Sequence, residues 1–173
     1  MRWLLFIVLI VCARAEALTY TKSFTEQELQ ARLVKMMPIE KQKLMGSVTL
    51  NNPVLNLATG HDKLQLTLDL AVTAIGDIKG TGKVTVKSGI QYAQKDGAFY
   101  LQAPSLVSFE VNGVPSKLHS KVKGTVEKLL AKALQKRPVY RLDDQDLKQK
   151  LVKSTLKDVR IEEQELLLDF ALF

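Results

Sequence analysis

The side chains able to do chemistry are few, and their spacing argues against a reaction. The 173-residue chain holds two histidines, His61 and His119, and a single cysteine, Cys12. A zinc site needs His, Cys or carboxylate ligands at short paired spacings such as H-E-x-x-H or C-x-x-C, and neither pattern occurs. His61 falls in the turn-forming stretch Thr59–Asp62, and His119 sits where a helix begins, a common place for a boundary histidine. Gly80-Thr81-Gly82-Lys83 looks like a phosphate loop, but Asp77 stands where the upstream glycine is required and Val84 where Ser or Thr should hold magnesium. Asp144 and Asp146 open like a calcium loop, yet its last ligand position is Thr155 instead of a bidentate glutamate. Glu162, Glu163 and Glu165 cluster in a turn, where carboxylates stay solvated and ordinary. The expectation is a non-enzymatic protein with no metal and no cofactor.

Charge and hydropathy narrow the partners. Trp3–Val11 is an unbroken apolar run behind Arg2, followed by Ala13-Arg14-Ala15 and Ala15-Glu16-Ala17, small-x-small patterns of the kind signal peptidase reads. Residues 1–17 are therefore expected to be a secretory signal, cleaved after Ala15 or Ala17, and 18–173 a single domain in the periplasm. Cys12 closes the apolar run, and its lipidation to give a membrane-anchored lipoprotein is the alternative. Cleavage after Ala15 removes two arginines and lowers the formal charge from +7 to +5. A basic excess in an exported protein points to an anionic membrane surface. Nucleic acid is not expected, because aromatic residues do not alternate with the basic ones.

The elements that must position any site follow from periodicity. Thr25 with Glu28 is a capping box, opening a helix through Leu29, Leu33 and Val34 that Pro38 closes. From about Leu44 the period becomes two, with a phase shift across Asn51-Asn52-Pro53 that a β-bulge would produce. Leu64, Leu66, Leu68, Leu70 and Val72 alternate with polar residues over the cleanest strand. After a Gly-rich link from Gly76 to Gly82, a third strand carries Val84, Val86, Ile90 and Tyr92. Lys95-Asp96-Gly97 turns it into a fourth, with Phe99, Leu101, Val107, Phe109 and Val111. Val114–Arg137 has apolar residues at spacings of three and four, from Leu118 and Val122 to Ala133 and Leu134. Its other face is almost all lysine, including Lys117, Lys121, Lys128 and Lys132. A short helix capped by Asp143 or Asp144 and a closing strand pair around Val159–Leu172 complete the chain, the pair finishing the same sheet. The expected class is α+β, with a strongly curved antiparallel sheet wrapped around one long helix in the C-terminal half and a short N-terminal helix.

The opening Thr25-Glu26-Gln27-Glu28-Leu29, the segment Gly97-Ala98-Phe99-Tyr100-Leu101, the motif Pro138-Val139-Tyr140-Arg141-Leu142 and the final strand pair resemble, in this order, the YceB-like family of bacterial envelope proteins. The resemblance implies a tubular lipid-binding fold and a fatty acid or phospholipid tail held between sheet and helix. Leu64, Leu66, Leu68, Leu70, Val84, Val86, Phe99 and Leu101 from the strands, with Leu118, Val122, Leu129 and Ala133 from the helix, would then line the ligand. These residues can equally fill a solid core. In that case the protein is an envelope interaction module, meeting another protein through the lysine face or a sheet edge.

Overall fold

A computed structural model describes residues 19–43, 46–57, 63–142, 153 and 155–171. In chain order its elements are β1 (Thr19–Thr25), α1 (Glu26–Lys35), β2 (Ile39–Lys43), β3 (Gly46–Asn56), β4 (Leu64–Ala74) and β5 (Ile78–Ala93). They continue with β6 (Ala98–Asn112), α2 (Ser116–Lys136), β7 (Tyr140–Arg141), β8 (Leu156–Glu162) and β9 (Glu165–Ala171). Strands β2 to β7 form one antiparallel sheet in sequence order, and β1-β9-β8 form a second of three strands.

This arrangement corrects the expected class. Most of the described residues are antiparallel strand, divided between two sheets, and the picture of one strongly curved sheet wrapped around a long helix does not hold. The backbone of α2 runs closest to β6, with fewer approaches to β2 and β3. The closing hairpin does not finish the main sheet. It pairs instead with β1, in a register running from Thr19↔Ala171 to Thr25↔Glu165. That strand is hidden in the sequence because Lys22 stands between Tyr20 and Phe24, its inward aromatic residues, and breaks the alternation. Nor is Gly76–Gly82 a link, since β5 begins at Ile78 and runs through two of its glycines. Gly82 is needed there: a Cβ would lie 1.9 Å from the carbonyl oxygen of Glu110 on β6, so only glycine permits that backbone approach. The signal stretch, Cys12, His61 and the helix expected from Asp143 or Asp144 lie outside the described residues.

Alternation explains the core. Along β4, Leu64, Leu66, Leu68, Leu70 and Val72 are buried while the residues between them are not. Val84 and Val86 on β5 continue that inward face, and Val122, Val126, Leu129, Leu130 and Leu134 of α2 join it in one apolar cluster. The second sheet contributes Phe24, Ile161, Leu166, Leu168 and Phe170 to the same cluster. On β9 the buried Asp169 is matched, accepting from Thr21 Oγ1 at 2.6 Å and meeting Arg160 Nη1 at 2.6 Å. A carboxylate this far from water needs both partners.

The first helix closes a gap in the main sheet. Strand β2 pairs with β3 only from Gly46 to Leu50, and the register slips between Asn51 and Val54, as the phase shift in the sequence suggests. Beyond Leu50, no strand among the described residues lies beside the outer edge of β3. Glu26 and Gln30, one turn apart on α1, supply what a strand would. Glu26 Oε2 accepts from the Leu57 N–H at 2.8 Å, and Gln30 Oε1 from the Leu55 N–H at 2.7 Å. The Gln30 amide also donates to the Pro53 carbonyl. Removing these partners leaves partly buried backbone groups without their bonds, at a cost of about 1–3 kcal/mol. Gln30→Ala should therefore lower the unfolding free energy measured by urea titration by that amount, and Gln27→Ala, on the exposed face, should change it by less than about 0.5 kcal/mol. Equal effects from the two substitutions would show that α1 does not seal the edge.

Candidate functional site

The first helix and the segment after α2 meet across a cleft of about 490 Å³. Thr25 starts α1 with a full capping box, its side chain accepting from Glu28 N and the Glu28 carboxylate accepting from Thr25 N at 3.0 Å. Fixed at that end, the helix turns Glu28, Ala31, Arg32 and Lys35 toward one side, at the spacing that brings residues onto a common face. Met36 follows them into the cleft.

The opposite wall is Pro138, Val139, Tyr140 and Arg141. Pro138 cannot extend α2, so the chain leaves the helix and becomes extended. It is then tied to β6, with Val139 N donating to Phe99 O at 2.9 Å and Leu142 N to Gly97 O at 2.8 Å. Tyr140 is buried between Phe24, 4.3 Å away between ring centres, and Phe99, 6.1 Å away. Over its ring lies the Arg32 guanidinium, at 4.7 Å, a cation–π contact that places a positive charge on an apolar floor. Arg141 Nη1 donates to the Asp96 carbonyl at 2.9 Å, which holds the second cation on the rim.

Arg32, Lys35 and Arg141 thus stand against one acid, Glu28, whose carboxylate already serves the helix start. The cleft can bind an anion whose remainder is apolar. Among the described residues no three His, Cys, Asp or Glu side chains gather where a metal could be held. His119 Nε2 lies 2.8 Å from the Val114 carbonyl, tying down the start of α2.

The residues that the sequence suggested for an apolar ligand lie elsewhere. Leu64, Leu66, Leu68, Leu70, Val84, Val86, Phe99, Leu101, Val122 and Leu129 are buried in the common core, and Leu118 and Ala133 are half-buried at its margin. None of them lines the cleft. Lys117, Lys121, Lys128 and Lys132 are exposed along α2. Sequence reasoning missed Arg32 and Lys35 because two cations near the end of a helix read as ordinary complements to its dipole.

The chain matches the sequence profile of DUF1439, described as a protein of unknown function, over residues 24–165. It belongs to the DUF1439 family. The matched span holds α1, α2 and every residue of the cleft, so the site is part of the family's domain. No curated protein matches the chain.

Beside this region Tyr92 packs on Phe99 at 4.6 Å and donates its hydroxyl to the Lys153 carbonyl at 2.5 Å. Burial pushes its phenol above the ordinary value near 10. Because the unfolded chain loses this proton first, the stability linked to Tyr92 is intact below about pH 10 and falls as pH rises past that point. Thermal unfolding between about pH 9 and about pH 11 should accordingly decline less steeply for Tyr92→Phe than for the unaltered chain. Parallel declines would mean that the phenol ionises as freely folded as unfolded.

Proposed function

We propose that the protein is a non-enzymatic binder of an anionic amphiphile, a fatty acid or phospholipid, in the bacterial cell envelope. The observation that carries this reading is the cleft itself, an apolar floor of Met36, Val139 and Tyr140 under the cations of Arg32, Lys35 and Arg141. An anionic head group would meet the guanidinium groups, with charge-assisted hydrogen bonds stronger than neutral ones. The adjoining chain would cover apolar surface, at about 25 cal/mol per Å² removed from water. The resemblance to the YceB-like envelope family supports the same class of ligand. Export to the periplasm belongs to the proposal and rests on the apolar run Trp3–Val11 with its small-x-small sites. The exposed lysines of α2 suit a protein that works close to an anionic membrane surface.

A second reading, an interaction module with a solid core, is favoured by one observation: the sheet face and α2 share a single buried apolar cluster. One titration separates the two. Displacement of a fluorescent fatty acid by palmitate should be saturable, about tenfold or more weaker in Arg32→Glu/Arg141→Glu, and unchanged in Lys121→Glu/Lys128→Glu. A flat titration for every variant would remove the amphiphile and leave the interaction module.

A further inference from the structure

A second pocket, partly open to solvent, lies between the two sheets, away from the cleft, with a volume of about 270 Å³. One wall is Gly89 and Ile90 of β5 with Gln102 of β6, and the other is Val159, Ile161 and Leu166 of β8 and β9. Lys63, the exposed residue before β4, also lines it, and among the described residues its ammonium meets no carboxylate.

The backbone is bent to leave this space. The β5–β6 register slips between Thr85 and Val86 and again between Lys87 and Gly89. Opposite the second slip Ala103 takes a φ of 46°, the left-handed region that costs a residue with a side chain. The buried Ser88 hydroxyl fills the break by reaching the Gly89 and Gln102 carbonyls, at 3.0 and 2.9 Å. Gly89 itself is not required by packing. A Cβ there would find nothing nearer than Gln102, at 3.8 Å, and its φ lies outside the left-handed region, in contrast to the collision that fixes Gly82. Gly89 lines the slot, so a larger residue there has room to take up part of its volume.

From these features we infer that the inter-sheet slot binds an aliphatic carboxylate of medium length, its chain between Ile90 and the Val159–Ile161 wall and its carboxylate at Lys63. At the roughly 30 Å³ that a water molecule takes up in the liquid, the volume suits about nine heavy atoms. A chain of about eight carbons fills it. The site is separate from the α1 cleft and does not depend on that cleft binding anything.

Octanoate and 1-octanol, titrated calorimetrically into the full chain, test the inference. Octanoate should bind saturably, and Gly89→Val should weaken both ligands at least tenfold by filling the slot. Lys63→Met should weaken octanoate about tenfold and leave octanol unchanged, because only the charge contact is lost. Lys121→Glu, on the exposed face of α2 and lining neither site, should change neither. Should Gly89→Val fail to fold, methyl NMR of the unaltered chain decides: octanoate should shift the Ile90, Val159 and Ile161 methyl signals. The slot is refuted if octanoate does not saturate, if those signals stay in place, or if Lys63→Met weakens octanol as much as octanoate.

Discussion

One face of the six-stranded sheet carries Leu50, Leu64, Leu66, Leu68, Leu70, Val72, Val84 and Val86, and that face has to be taken out of water. Each of these side chains gains about 1.5–3 kcal/mol on full burial, so an uncovered face would forfeit more than the net stability of an ordinary domain. Val126, Leu130 and Leu134 of α2 and Phe24, Leu166, Leu168 and Phe170 of the second sheet, all deeply buried, join that face in one apolar cluster. The lysine face of α2 is the other side of the same arrangement. A helix that gives its apolar stripe to the sheet must turn its charged stripe to solvent.

That constraint sets where binding can occur. With the sheet and α2 sharing one buried cluster, the room described here lies at the margins, where elements meet at their ends. The cleft exists because Pro138 stops α2 and sends the chain back along β6 while α1 lies across the outer edge of β3. Glu26 and Gln30 therefore serve the site as well as the sheet. By holding α1 on that edge they fix how far Arg32 stands from Tyr140. The aromatic cluster of Phe24, Tyr140, Phe99 and Tyr92 links strands of both sheets beneath the cleft.

Local patterns were legible wherever one physical effect dominated. Leu64–Val72 alternates without interruption because β4 is central and half wet, and the Thr25–Glu28 capping box announces α1 on its own. The phase shift at Asn51–Pro53 marked a break in register that the structure places between Asn51 and Val54. What failed was the joining of elements into sheets. Lys22 masks the inward stripe of β1, and with that strand unseen the closing hairpin had no partner except the main sheet. The candidate site was half readable. Pro138–Leu142 stood out as a motif, but nothing local in Arg32 or Lys35 shows that they face it. Only the packing of α1 brings the two segments together.

The central claim is that the apolar cluster shared by α2 and the main sheet holds no guest and that an amphiphile is held in the α1 cleft at its margin. Backbone hydrogen exchange with and without saturating palmitate tests it most directly. The account predicts that amides of α2, β4 and β5 are strongly protected in the free protein and unchanged by palmitate, while those of α1 and Val139–Leu142 gain protection. New protection confined to α2, β4 and β5, after fast exchange there in the free protein, would contradict it, because the guest would then be lying between helix and sheet.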